Sequence, residues 1–251
     1  MSLGTIVLDD NLLYHYLKGD KTKRYNKLMR KYIHPHVTNF NQLSRVINAH
    51  IDLPKENNLL AQMANEPHSR DDLEALALKT TFKIILTDDE NKNFPFVHFD
   101  NAVVNNRLTF HLSPSQSRDV LTQHLQRLCQ NAKKIIICDN YFAKNWEHTQ
   151  SLFVSILPRK SLIIEYADTM PQTATILNSS CITSDYITQS WHEWTVGVTA
   201  NPKYLNCHDR YLLIESPSTV VEVMLSSGFS HIWQPNPKEI TCVFSEIKKS
   251  S

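Results

Sequence analysis

Apolar and polar positions along this chain fall into short blocks whose character changes near residue 80. At the start, the run Gly4-Thr5-Ile6-Val7-Leu8, the acids Asp9-Asp10 with Asn11, and then Leu12-Leu13-Tyr14-His15-Tyr16-Leu17 predict a strand, a capping turn and a helix that Gly19-Asp20 ends. Residues 34–80 hold two proline-punctuated segments that read as helices. Beyond them, residues 82–86 predict a strand, 88–93 a polar turn, and 94–99 and 108–112 further short strands. Ser113-Pro114-Ser115-Gln116-Ser117-Arg118-Asp119 then opens a helix that places Val120, Leu121, Leu125 and Leu128 on one face.

The second half alternates more strongly. Residues 134–138 and 161–165 are continuous apolar runs of the kind a strand buried on both faces requires, with amphipathic helical segments at 146–157 and 171–178 after each. Three more runs, 205–214, 220–225 and 240–244, follow closely upon one another. Helices between strands imply parallel pairing, whereas short connections imply antiparallel neighbours. The pattern therefore predicts a mixed α/β protein: a mostly buried sheet flanked by helices over residues 81–251, preceded by a mainly helical region over residues 1–80.

Composition narrows the chemistry. An apolar content of 41% supports a real core, and a net charge of +1 leaves any affinity for polyanions to local patches. Five scattered cysteines without a C-x-x-C pair read as small buried side chains in a reducing compartment. No apolar run reaches the roughly 18 residues of a membrane span, and the N-terminus lacks a signal-peptide pattern, so a cytoplasmic location is expected. With only four glycines, the phosphate-cradling loops of common nucleotide-binding motifs are excluded.

Among candidate contacts, Lys23, Lys27, Arg30 and Lys31 gather on one side of a helical projection. They read as a solvated face or, more sharply, as contacts to a nucleic-acid backbone. His34-Pro35-His36 reads as a loop rather than a zinc-ligand pair. The aromatic cluster Trp191-His192-Glu193-Trp194 is expected to pack near the mouth of a site. Val7-Leu8-Asp9-Asp10-Asn11 before an apolar helix resembles the opening of PIN-type ribonucleases, in which an acid at the end of the first strand binds a metal. Helix capping explains the same residues, and no set of further acids at strand ends accompanies them.

The strongest chemical signal is Asn206-Cys207-His208-Asp209-Arg210-Tyr211-Leu212-Leu213-Ile214-Glu215. In a strand, His208 and Arg210 emerge on the same face, and an imidazole beside a guanidinium suits a phosphoryl group. The segment resembles the phospholipase D superfamily signature, His-x-Lys with a later acid, with Arg210 in the Lys position and Glu215 in the Asp position. Leu225-Ser226-Ser227-Gly228-Phe229 resembles the superfamily's downstream Gly-Ser turn. Ile135-Ile136-Ile137-Cys138-Asp139-Asn140-Tyr141-Phe142 resembles the I-x-x-D-P-Y segment of the branch that includes the domain attached to MIT modules and bacterial relatives.

The resemblance spans roughly residues 115–247. It implies a phosphodiesterase, most plausibly a metal-independent nuclease without a cofactor, acting on DNA or RNA in a bacterial cytoplasm. His208 would be the nucleophile, Arg210 would neutralise phosphoryl charge, and Glu215 would orient its neighbours. Ser226, Ser227 and Gly228 would bind phosphate, with Asp139, Tyr141 and Asp209 in support. One motif per chain implies a homodimer that brings two His208 side chains together. The alternative is an inactive module of the same family that binds a phosphate-bearing ligand or a protein partner.

Overall fold

The computed structural model describes residues 4–19, 23, 26, 36–54, 57–100, 103–104, 107–139, 141–142, 145–167, 184–205 and 209–247. Two compact units, Met1–Leu108 and Thr109–Ser251, divide the chain. The expected division near residue 80 thus falls later, and strand pairing explains why. β1 (Val7–Leu8) pairs in parallel with β2 (Ile85–Thr87), which pairs in parallel with β3 (Phe96–His98). The two strands assigned from sequence to the second domain belong with the first. Among the described residues up to 80, the elements are four helices and the two-residue β1, as a mainly helical region requires; β2 and β3 then give the first unit a small sheet of order β1-β2-β3, with a parallel bridge from Val7 to Val37.

Local rules account for its helices. α1 (Asp10–Lys18) is capped by the Asp9 side chain, which accepts from the Leu12 amide, and ends at Gly19, whose φ of 64° a side chain would disfavour. α2 (Phe40–Ala49) is capped by Asn39 and buries Leu43, Val46 and Ile47 at helical spacing. α3 (Asn57–Met63) and α4 (Leu73–Ala77) follow. Val7, Val37, Leu76, Ala77 and Ile85 form one buried cluster, with Leu73 and Phe96 packed against it.

The larger sheet has the order β4-β5-β11-β10-β9-β6-β7-β8, and all of it from Thr109 onward lies in the second unit. Its strands are β4 (Val103–Val104), β5 (Arg107–Leu112), β6 (Lys134–Cys138), β7 (Leu162–Tyr166), β8 (Trp194–Val198), β9 (Arg210–Glu215), β10 (Val220–Leu225) and β11 (Ile240–Ile247). β6, β7 and β8 run parallel; β9 lies antiparallel to β6, and β10 and β11 continue antiparallel. This is the mixed sheet the spacing of apolar runs predicts. The continuous run of β6 reflects burial on both faces, since Ile135, Ile136 and Ile137 are all buried. On one face Ile136, Cys138 and Leu213 pack with Tyr204, Ala167 and Val220.

The helical expectations need adjustment. α5 (Asp119–Cys129) buries Leu121, Leu125 and Leu128 as predicted, but Val120, expected on the same face, is exposed, and the helix begins six residues after Ser113. The stretch before it is held as a turn by the Arg118 guanidinium, which donates to the carbonyls of Ser113 and Gln116 at 2.8 and 3.3 Å. Residues 146–157 split into α6 (Trp146–Thr149) and a π-helical turn, Leu152–Ile156, that buries Leu152, Phe153 and Ile156. Short helices α7 (Ser184–Ser190), α8 (Pro202–Leu205) and α9 (Ser230–Trp233) complete the unit. The helix expected at 171–178 lies outside the described residues.

Registry determines where chemistry can gather. Cys138 is opposite Tyr211 across β6 and β9, and Arg210 is opposite Leu225 across β9 and β10. The carboxyl end of β6, the start of β9 and the end of β10 therefore open on one rim of the sheet.

Candidate functional site

Asp139 is the hub of that rim. Its carboxylate, 1% exposed, accepts the Tyr141 amide on Oδ1 and the Phe229 amide on Oδ2, both at 2.9 Å. An acid directly after a buried strand has its backbone turning away. Its side chain is then free to bind the loop after β10, and Asp139 joins two elements distant in sequence. Gly228 is needed there: a Cβ on it would sit 3.3 Å from Asp139 Oδ2, closer than the buried carboxylate comfortably allows.

Arg210 opens β9 beside this carboxylate, with Nε 3.9 Å from Oδ1 and its guanidinium 5.7 Å from the centre of the Tyr141 ring. At 3.9 Å the contact is an ion pair without a hydrogen bond. Among the described residues, the guanidinium makes no hydrogen bond, and about a quarter (26%) of the side chain is exposed. The half-exposed Tyr141 ring holds the cation while leaving its five N–H donors to an incoming acceptor.

The turn after β10 is more committed than the resemblance implies. Ser226 Oγ accepts the Thr241 amide at 2.9 Å, and Ser227 Oγ donates to the Glu239 carbonyl at 3.0 Å. The Ser226 hydroxyl proton remains available to a ligand, whereas that of Ser227 is already used to tie β10 to β11. Asp209 is exposed and accepts from the Tyr211 hydroxyl at 3.3 Å.

Glu215 does not join this group. It ends β9 opposite Lys134 and Val220, five positions from Arg210 and therefore on the other face, about 17 Å away at strand rise. His208 lies outside the described residues, as do Lys27, Arg30 and Lys31; Lys23 is helical and exposed. The cluster around Trp191 is not a wall of the rim. Trp194 opens β8 opposite Leu162, at the amino ends of these parallel strands, and its indole donates to the Pro158 carbonyl at 3.2 Å. Trp191 carries the Arg159 guanidinium over its ring.

Two residues at the rim escaped sequence reasoning. His231, in α9 just after the glycine turn, accepts the Lys238 backbone amide on Nδ1 at 3.1 Å, and the Gln234 amide nitrogen lies 2.6 Å from the same atom. Burial, with the positive charges of Lys238, Arg210 and Arg118, lowers its pKa from the ordinary histidine value; Asp139 opposes them. Arg118, buried, donates to the carbonyls of Lys238 at 2.8 Å and His231 at 3.4 Å and so braces the loop that carries this histidine. A lone His and a lone Arg within polar loops leave no periodic signal.

The first unit presents a different arrangement. The parallel sheet puts Asp9 at the carboxyl end of β1, beside Thr87 at the end of β2. Its carboxylate, only 2% exposed, accepts from the Leu12 amide at 2.9 Å, the Thr87 hydroxyl at 2.5 Å and Lys92 Nζ at 3.1 Å. The Asp9 carboxylate is thus engaged by a helix-capping amide, a hydroxyl and a lysine ammonium. Among the described residues, no three His, Cys, Asp or Glu side chains are grouped as a metal site would require.

His36 is partly buried, with its ring 4.4 Å from that of Tyr16, and desolvation draws its pKa down to about 4. Cys129, Cys138 and Cys242 are buried thiols, and burial pushes Cys129 and Cys242 up to about 12. Among the described residues, no helix is long and apolar enough to cross a membrane. No protein-family model matches the chain, and no curated protein sequence matches it.

Proposed function

We propose that the unit from Thr109 to Ser251 is a PLD-like phosphodiester-handling domain, acting as a metal-independent nuclease in a homodimer. The observation that supports it most is Arg210: a partly exposed guanidinium on the sheet rim, steered by Asp139 and Tyr141, with no hydrogen bond of its own among the described residues. A cation with unspent donors beside a glycine turn suits a phosphoryl oxygen, which accepts the forked geometry of arginine. His208, two residues earlier, would attack phosphorus. The bond from phosphorus to the leaving oxygen would break, that oxygen taking a proton from the second chain's imidazole, and water would then hydrolyse the phosphohistidine.

The binding-module alternative draws on a specific observation as well. Ser227 is committed to Glu239 and Glu215 stands apart from Arg210, so of the residues that the resemblance assigns to the site one is otherwise engaged and another lies at a distance. One experiment separates the readings: single-stranded DNA and RNA, and bis(p-nitrophenyl) phosphate, are incubated with the full chain in EDTA, beside His208→Ala and Arg210→Gln. EDTA-resistant turnover lost in both variants supports the nuclease. Binding without turnover, weakened in Arg210→Gln, supports the module. Neither binding nor turnover, or activity that persists in His208→Ala, overturns the nuclease.

A further inference from the structure

The half-site described above offers the Arg210 cation and the Ser226 hydroxyl within one chain, but no imidazole of its own, since the nuclease reading takes its second imidazole from a partner. We propose that His231 of the same chain supplies an imidazole donor, held as the Nε2–H tautomer and aimed at the phosphate that Arg210 binds. The inference rests on the phosphate-handling reading and names a residue that the family resemblance does not supply.

The tautomer follows from hydrogen-bond bookkeeping. The Lys238 backbone N–H can only donate, so Nδ1 of His231, 3.1 Å away, must accept and carry no proton. The Gln234 side-chain nitrogen at 2.6 Å, itself a donor, presses on the same lone pair. A proton on Nδ1 would face two donors and gain nothing. In the neutral ring the proton therefore sits on Nε2, an atom with no hydrogen-bond partner among the described residues.

Charge around the ring reinforces the choice. Lys238, Arg210 and Arg118 lie within electrostatic reach and disfavour imidazolium, and Asp139 alone opposes them. Burial and these charges favour the neutral ring, the form whose single proton the Lys238 amide directs to Nε2.

Position is secured by the same network that forms the rim. Asp139 Oδ2 fixes the Phe229 amide, the residue before α9, while Arg118 grips the carbonyls of His231 and Lys238 at the ends of the loop. The imidazole therefore cannot swing away without giving up its bonds to the Lys238 amide and Gln234, and its donor is organised before any ligand arrives. Arg118 is a positioning residue in this scheme. One chain would then hold a phosphate between a fixed guanidinium and a fixed N–H, and the partner chain would be needed for cleavage only.

The test uses the full-length protein and inorganic phosphate. Titration is followed by isothermal calorimetry and by 15N NMR of the histidine rings, with the His231 signals assigned by their loss in His231→Gln. Before phosphate is added, the His231 ring should show a protonated Nε2 and an unprotonated Nδ1 between pH 6 and 8. Phosphate should shift the Nε2 signal, and His231→Ala should weaken affinity about tenfold, as one lost hydrogen bond to a charged group implies. Arg210→Gln should abolish the shift. The Nδ1–H tautomer, or an Nε2 signal that phosphate leaves unmoved while Arg210→Gln still weakens binding, would overturn the role of His231 alone. An absence of phosphate binding by the wild-type chain would instead remove the underlying reading.

Discussion

Replacing Asp139 tests the architecture of the rim most directly, because its two oxygens have different tasks. Oδ2 satisfies the buried Phe229 amide and Oδ1 the partly buried Tyr141 amide, each at 2.9 Å. In Asp139→Asn the single remaining acceptor turns to the Phe229 amide, and the new NH2 group is left against the Tyr141 amide, donor facing donor. Water reaches that second amide, so the expected cost is about 1–2 kcal/mol. Asp139→Ala removes both acceptors and leaves the Phe229 amide dry and unpaired, for about 2–4 kcal/mol. The ion pair adds little to either value, since Arg210 is 3.9 Å away and partly exposed. Urea unfolding read by circular dichroism gives both numbers, and thermal midpoints should fall by about 2–4 °C per kcal/mol for a chain of this size. Equal destabilisation in the two variants, or both lying within about 0.5 kcal/mol of wild type, would refute the division of labour between the oxygens.

The other expected outcomes concern the supports of each unit. Gly228→Ala should cost about 1 kcal/mol in the wild type and almost nothing in an Asp139→Ala background, where the oxygen 3.3 Å from its new Cβ is gone; a double-mutant cycle in urea measures that difference. Arg118→Lys should destabilise by about 2 kcal/mol, because one ammonium cannot reach the carbonyls of Ser113, Lys238 and His231 together, and equal stability would show the fork to be dispensable. Lys92→Met should cost about 1–3 kcal/mol by stranding the buried Asp9 carboxylate; Asp9→Asn added to it should recover part of that loss, and no recovery would mean the pair is not the cause. His36 has a folded pKa near 4, below its unfolded value of 6.5, so the unfolded chain binds the proton first. Its contribution is complete above pH 6.5 and is lost as pH falls toward 4, to a limit of about 3 kcal/mol, and His36→Phe should flatten that part of the stability–pH curve relative to wild type.

Legibility in the sequence followed the range of the forces involved. β6 and β10 were readable to the residue because burial on one or both faces writes itself as apolar runs. The partner of β1 was not readable: Ile85-Leu86 lies 78 positions later, and nothing local distinguishes a strand that joins an earlier sheet from one that begins a new one. The same holds at the rim. Asp139, Arg210 and Gly228 could be nominated as residue types next to strand ends, but their meeting depends on registers between β6, β9 and β10. Glu215 shows the opposite case, since five positions along a strand change the face and carry it to the far edge. His231 owes its tautomer to a single backbone amide at Lys238, a contact with no sequence signature.

These contacts also account for an arginine at 210 where a lysine would be the expectation from the resemblance. Each oxygen of Asp139 already accepts a backbone amide, and Arg210 Nε stands 3.9 Å from Oδ1, so the carboxylate offers the neighbouring cation charge without a hydrogen bond. A lysine ammonium, compact and strongly hydrated, would gain little from an acceptor so occupied and would have no planar face to lay near Tyr141. A guanidinium spreads its charge, tolerates the 3.9 Å approach, and is steadied by the aromatic ring while its N–H fork stays unspent. On the phosphate-handling proposal, Arg210→Lys should therefore retain the fold yet weaken phosphate binding nearly as much as Arg210→Gln. If lysine supported wild-type affinity, the planar fork would be irrelevant, and a diffuse positive charge at the rim would suffice.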